Sequence, residues 1–360
     1  MSDDPYRSAF TIAMLRLITP YGRSAPSARV RGYAWLNHLK IEAEVVKLTD
    51  AEKLSAKNAA HSYARQVLHG RQTKSEELCG STLILRKASL LGAGKVEETV
   101  FGRSQHAVFD LDDAIYLPSE GVGPRALLRK AARQKRQPGR AARAADVVVA
   151  GNATLADWAS HYCENVVVIP SCVEPASYKR KLSYELVDPP LLLWVGSAST
   201  EPLLGSLVEP LRRINEIFGA RLLLIGQAQG SVRGLDFMID RIPWSERVAS
   251  SRIADADIGL MPLTDTAFNR GKCAYKLLQY GAAGLPAIGS PVGANTPLLA
   301  AAGLPAPTNN TEWFGAIHQL LEMSAAERQG LGTGFHELVS RDFSYERWAS
   351  NWIEAVQPFA

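Results

Sequence analysis

Apolar residues in this chain gather in short unbroken runs, each followed by a stretch long enough for a helix. "FTIAMLRLI" (10–18), "IEAEVVKL" (41–48), "STLILRK" (81–87), "HAVFDLDD" (106–113), "ADVVVAG" (145–151) and "NVVVIPS" (165–171) form one series. "PLLLWVGS" (190–197), "ARLLLIGQ" (220–227), "DFMIDRIP" (236–243), "ADIGLMPL" (256–263) and "LPAIGSPVG" (285–293) form a second. Continuous runs of branched residues mark strands covered on both faces, whereas a half-exposed strand alternates apolar with polar. Helical stretches between them, such as 201–217, serve as crossovers between parallel strands. The pattern predicts two α/β domains with doubly wound parallel sheets.

A polar segment, "PASYKRKLSYELVDPP" (175–190), separates the two series. It predicts a first domain over 1–185 and a second over 186–343. In the tail 344–360, Trp348, Trp352 and Val356 recur every fourth residue, so a terminal helix carries one aromatic stripe toward the first domain.

Composition narrows the function classes. The chain has 360 residues, is 46% hydrophobic and carries a net charge of +4. That charge is uneven, because "RALLRKAARQKRQPGRAAR" (125–143) holds eight Arg/Lys and no acid, leaving the remainder near −4. A basic segment of this kind suits either a solvated helix or peripheral contact with anionic lipid. It lacks interleaved aromatics, which argues against nucleic acid as a partner. Cys79, Cys163, Cys172 and Cys273 are scattered and form no metal or redox motif, as expected of a reducing, cytoplasmic compartment. The acidic opening "MSDDPYR" is unlike a signal peptide, and the apolar run 10–17 is too short to span a bilayer.

Ligands of open parallel sheets bind beyond the carboxyl ends of the strands, so the candidate chemistry is sought there. After the first run comes "TPYGRSAPSARVRG" (19–32), where Gly22 opens a loop and Arg29 and Arg31 enter a helix. The fourth run ends in Asp110, Asp112 and Asp113, three carboxylates that repel one another unless a cap, a metal or sugar hydroxyls engage them. In the second domain Gly196 and Ser197 lie in "GSAST" (196–200), which suits close approach of a phosphate and equally suits a helix cap. "GAGK" (92–95) is not a phosphate-binding P-loop, since Ser89 and Val96 occupy positions that require Gly and Ser/Thr.

The richest segment is "GKCAYKLLQYGAAGLPAIGSPVG" (271–293). A helix over 271–280 places Lys272, Lys276 and Gln279 on one face. The amides of Lys272, Cys273 and Ala274 then lie in its first turn, where an anion binds. This predicts a diphosphate clamp, with Gln279 reaching the next part of the ligand.

The segment "ADIGLMPLTDTAFNRGKCAYKLLQYGAAGLPAIGSPVGAN" (256–295) resembles the donor-binding segment of the GT-B nucleotide-sugar glycosyltransferases, specifically family 4. "ADVVVAGNATLADWA" (145–159), "SARVRGYAWLNHL" (27–39) and "FDLDDAIY" (109–116) are similar to other stretches of that family, so the resemblance covers nearly the whole chain. It implies a GT-B fold, two Rossmann-like domains with parallel sheets facing a central cleft. It further implies a retaining, metal-independent transferase that moves a sugar from a nucleotide-diphosphate sugar to a glycan, lipid-linked or small-molecule acceptor, with no cofactor. Mapped onto this chain, Lys272, Asp112 and Asp113 are the catalytic candidates. Gly22, Gly196, Ser197, Ile242, Trp244, Lys272, Cys273, Ala274, Lys276 and Gln279 are the donor-binding ones, with the base beside Ile242 and Trp244. Arg29, Arg31 and Asp110 fall on the acceptor side. Two glutamates eight positions apart are common in the family, and here Gly271 and Gln279 stand in their places. A GT-B epimerase or phosphorylase, or a non-catalytic subunit that binds a sugar nucleotide or a partner transferase, are the alternatives.

Overall fold

A computed structural model describes residues 14–20, 22–23, 25–47, 78–86, 94–117 and 136–357. All eleven apolar runs contain a strand among these residues. Six belong to a first sheet: β1 (Leu15–Thr19), β2 (Ala43–Lys47), β3 (Leu78–Leu85), β4 (Ser104–Leu111), β5 (Val147–Ala150) and β6 (Val166–Val168). Five form a second: β7 (Leu191–Val195), β8 (Arg221–Gly226), β9 (Ile239–Pro243), β10 (Ile258–Met261) and β11 (Ala287–Gly289). Every pairing is parallel, in the orders β2-β1-β3-β4-β5-β6 and β11-β10-β7-β8-β9. The chain reverses its direction of growth beside β1 and β3 in one sheet and beside β7 and β10 in the other. A parallel sheet opens at such a reversal, because the connections leave on opposite faces.

Two compact units result. The first comprises Met1–Ser171, Arg270–Cys273 and Trp348–Ala360; the second comprises Cys172–Asn269 and Ala274–Arg347. Four residues that lie in sequence within the second series thus fold as part of the first unit. Of the stripe on the terminal helix Tyr345–Val356, Trp352 and Val356 are buried in the first unit and Trp348 is half-buried; Trp352 stacks on Trp35 with ring centroids 5.3 Å apart. The Ala355 carbonyl also lies 3.0 Å from His106 Nε2 on β4.

The first unit is organised by an ion pair. Gly32 brings the helical segment after β1 onto the sheet, since a Cβ there would lie 2.8 Å from Leu85 and 2.9 Å from Leu17. The close approach lets Arg31 reach over the carboxyl ends of the strands. Its Nε donates to Asp110 Oδ1 at 3.0 Å and its Nη2 to Oδ2 at 2.7 Å. Nη1 donates to the carbonyls of Ile169 and Pro170, both at 2.8 Å, so Arg31 fastens the end of β4 to the end of β6. Both side chains are almost fully buried. Burial alone pulls the guanidinium pKa down, but the charge and hydrogen bonds of Asp110 outweigh it and the net direction is up. Arg31 and Asp110 were expected to contact an acceptor; their polar atoms are instead spent on each other and on backbone. Arg29 is likewise buried in the same turn, Arg29–Tyr33.

The second unit has apolar clusters on both sheet faces. Tyr280 links the neighbouring strands β7 and β10, its hydroxyl accepting from the Val195 amide at 3.2 Å and donating to the Leu260 carbonyl at 3.1 Å. Its ring packs against Gly259, where a Cβ would be 2.6 Å away. No helix among the described residues is long and apolar enough to cross a membrane.

Asp110→Ala leaves a buried guanidinium without its counter-charge and is expected to cost about 3–5 kcal/mol in urea denaturation, the range for half of a buried pair. The double replacement Arg31→Met with Asp110→Leu is expected to recover part of that loss.

Candidate functional site

In the first unit the candidate residues gather at the carboxyl ends of β3 and β4. Asp112 and Asp113 follow β4 directly and are partly buried. Arg86, at the end of β3, meets both: its Nε is 3.6 Å from Asp112 Oδ1 and its Nη2 3.3 Å from Asp113 Oδ2. Arg86 also donates to Ser27 Oγ at 3.0 Å and its backbone has φ of 65°, a left-handed conformation that a side chain adopts at some cost. Sequence reasoning passed over Arg86 although it directly follows the last apolar residue of the run 81–87; strand-end position is the signal that marks it. Lys272 completes the group, with Nζ 3.5 Å from Asp113 Oδ1. Asp112 Oδ1 is buried and accepts no hydrogen bond among the described residues.

The helix expected over 271–280 begins at Tyr275 and ends at Ala283. Ala274 takes φ of 54° and breaks the path, so Lys272 and Cys273 precede the helix and do not supply first-turn amides. Lys272 therefore does not share a helical face with Lys276 and Gln279; it belongs to the first unit and they to the second. Gly271 packs where no side chain fits, since a Cβ would sit 2.7 Å from that of Ala114 and 2.9 Å from its amide nitrogen. Asn152 fixes the next residue by donating from Nδ2 to the Lys272 carbonyl at 3.0 Å. The Cys273 thiol donates to the Asp112 carbonyl at 3.3 Å, and burial, with Asp112 beside it, pushes its pKa far above the ordinary thiol value. Cys273 is an inert anchor. Cys163 and Cys172 are also free thiols.

Beyond the first strand's end, the Gly22 carbonyl accepts from the Ala25 amide at 3.1 Å. The basic stretch 125–143 lies mostly outside the described residues. Its end forms the helix Gln137–Ala144, with Pro138 in the first turn, where Arg140 pairs with Glu98 and Arg143 lies 4.9 Å over the Tyr162 ring.

In the second unit the expected donor residues occupy strand ends. Gly196 follows β7 and accommodates the Trp194 indole, which a Cβ would meet at 2.4 Å; Gly226, ending β8, lies over the same ring. Ser197 is exposed, with Oγ 2.9 Å from that of Ser199, and its carbonyl accepts the Thr200 and Glu201 amides. Ile242 lies on β9, and the Trp244 amide donates to the Gly226 carbonyl at 2.7 Å. Lys276 Nζ stands 5.4 Å from the centroid of Trp194. Gln279 is buried and donates to Tyr178 Oη at 3.3 Å, so its amide is turned to a protein partner. A pair that sequence reasoning missed joins β9 to the turn after β7: Arg241 donates to Glu201 at 2.8 and 3.1 Å. Among the described residues, no cluster of His, Cys, Asp and Glu is arranged to hold a metal.

No protein-family model matches this chain. No curated protein sequence matches it either. Solved structures do. HepE of Anabaena in complex with UDP-glucose aligns at a TM-score of 0.65 and 13% identity, covering 95% of this chain and 98% of that one. WaaG, a glycosyltransferase involved in lipopolysaccharide biosynthesis, aligns at 0.65 and 13%, covering 95% and 99%. An α,α-trehalose-phosphate synthase (UDP-forming) from Burkholderia vietnamiensis aligns at 0.64 and 12%, covering 96% and 99%.

Gly271→Ala is expected to lower stability by about 1–3 kcal/mol, as overpacking against fixed backbone does. Gly205→Ala, where the Cβ position is open, serves as the control in the same denaturation series. From the alignments and the two parallel sheets together, the fold is α/β and of the GT-B type.

Proposed function

We propose that this protein transfers a sugar from a nucleotide-diphosphate sugar to a hydroxyl-bearing acceptor, a glycan, a lipid-linked sugar or a small molecule. The observation that carries the reading is the polar group at the ends of β3 and β4. There a buried carboxylate oxygen of Asp112 has no hydrogen-bond donor among the described residues, beside Asp113, Arg86 and Lys272. Carboxylates with spare acceptor capacity suit the hydroxyls of a sugar, which each bring a donor. The likeness to a structure holding UDP-glucose supports a nucleotide sugar as the donor.

In this reading the leaving diphosphate gains negative charge in the transition state, and cations already in place stabilise it. Lys272 is the group assigned to that task, leaving Asp113 for the diphosphate as charge builds. Lys276, near the start of the helix Tyr275–Ala283 and 5.4 Å from the Trp194 ring centroid, is a cation of the second unit. Asp112 and Asp113 orient hydroxyls. We further propose retention of anomeric configuration, with a phosphate oxygen accepting the acceptor's proton, so that no side-chain nucleophile is needed. Metal independence and membership of family 4 are parts of the same proposal.

A second reading, a sugar-nucleotide-binding subunit without turnover, draws on Gly271. Ala114 fills the space that a glutamate side chain at this position would need.

The two are separated by a thermal-shift screen with UDP-, GDP-, ADP- and dTDP-sugars, followed by assay of nucleotide release. A ligand at a hundred times its Kd adds about 2.7 kcal/mol to stability, enough for a clear shift. Lys272→Ala is expected to retain binding of the free nucleoside and to lose turnover by about 100-fold or more, as removal of an electrostatic stabiliser does. Undiminished turnover in that variant overturns the mechanism, and a shift without any turnover in the wild type favours the subunit.

A further inference from the structure

The helix Ala153–Ser160 begins at Asn152, whose Oδ1 accepts the Leu155 amide at 2.9 Å. Any of Ser, Thr, Asp or Asn performs that task, because a cap needs only an acceptor. Asparagine alone among them brings an amide donor as well. Here the donor is used: Nδ2 lies 3.0 Å from the Lys272 carbonyl and 3.7 Å from Cys273 Sγ. The two ends of the amide are distinguished by their partners, since a flipped group would set donor against donor and acceptor against acceptor. The side chain is buried, which makes loss of either bond costly.

The neighbouring contacts leave the segment little other freedom. At Gly151 a Cβ would lie 2.4 Å from Cys273 Sγ and 3.1 Å from the Leu111 carbonyl, so Cys273 rests directly on the end of β5. Cys273 bonds to the Asp112 carbonyl, and Gly271 abuts Ala114. Asn152 thus places a side-chain hydrogen bond on the backbone of Lys272 itself. A lysine carries its charge on a flexible four-carbon stem, so the place where its backbone is held decides what the ammonium can reach.

We propose that Asn152 is a positioning residue that aims Lys272 by holding its carbonyl, a role separate from capping the helix. The proposal rests on the transfer reading for its consequence in catalysis, but its structural half is testable alone. Asn152→Asp keeps the cap acceptor and removes the donor, setting a carboxylate oxygen against a carbonyl. Asn152→Ser keeps a shorter cap and cannot span to Lys272, and it serves should the Asp variant fail to fold.

Cys273 reports on the segment without reference to activity. Its alkylation by iodoacetamide, followed by mass spectrometry of its own peptide, is expected to accelerate by about ten-fold in both variants, the factor one ordinary hydrogen bond is worth in a local opening. Melting temperatures are expected to stay close to wild type. Turnover of the nucleotide sugar identified in the screen is expected to fall about ten-fold or more, and Asn152→Asp with Lys272→Ala together to be no worse than Lys272→Ala alone. Unchanged Cys273 alkylation in folded Asn152→Asp and Asn152→Ser overturns the proposal, as does a loss of turnover that adds to that of Lys272→Ala. If the wild type transfers sugar from none of the donors, the transfer reading falls, and the alkylation rates decide the holding of Lys272 by themselves.

Discussion

The first unit depends on two opposite charges removed from water. Taking a guanidinium and a carboxylate into the protein is expensive, and the expense is met only when geometry is good and every remaining donor finds an acceptor. Arg31 and Asp110 satisfy that condition, the one by its fork on the carboxylate and by two carbonyls, the other by receiving that fork. Neither partner can move alone without stranding the other. The carboxyl ends of β4 and β6 are thereby fixed relative to the helical segment after β1. Asp112 and Asp113 emerge from a strand end that has little freedom, so the cations around them meet carboxylates in fixed places.

A second constraint acts on the segment Arg270–Cys273, which folds with the first unit although both its neighbours in sequence fold with the second. Gly271, Lys272 and Cys273 are held by steric fit, by Asn152 and by Asp112 respectively. The left-handed turn at Ala274 then lets the chain leave and start the helix Tyr275–Ala283 afresh. A regular helix through this point would have rotated Lys272 onto the face of Lys276, at the expense of its approach to Asp113.

The strands were legible because burial on both faces requires continuous apolar runs, and each of the eleven runs contains one. Their parallel pairing followed from the helical lengths between them. What periodicity could not reveal was direction and partner. Asp110, Asp112 and Asp113 look alike in sequence, yet one points into the sheet toward Arg31 and two lie beyond its end, because Asp110 is still within β4. Arg86 and Asn152 were overlooked for a related reason: a polar residue after a strand reads as a turn or a cap until the residue it reaches, far off in sequence, is known. The helix start was misplaced because nothing in "GKCAYK" announces that Ala274 adopts a left-handed backbone, a conformation that alanine seldom takes.

The charge balance of the first-unit group bears on how such a group could serve catalysis. Arg31, Arg86 and Lys272 oppose Asp110, Asp112 and Asp113, so the six formal charges cancel. A neutral but strongly polar group does not attract a diphosphate over distance, and it does not repel a neutral sugar. It stabilises developing charge only if one cation can change partner. Arg31 cannot, being buried against Asp110, and Arg86 is shared between two carboxylates. Lys272, 3.5 Å from Asp113 Oδ1, is partly open to solvent and carries its charge on the most flexible stem of the three. The same lysine has its backbone held by Asn152. A fixed base under a mobile charge is what a group must have if it is to answer to charge that appears only in the transition state.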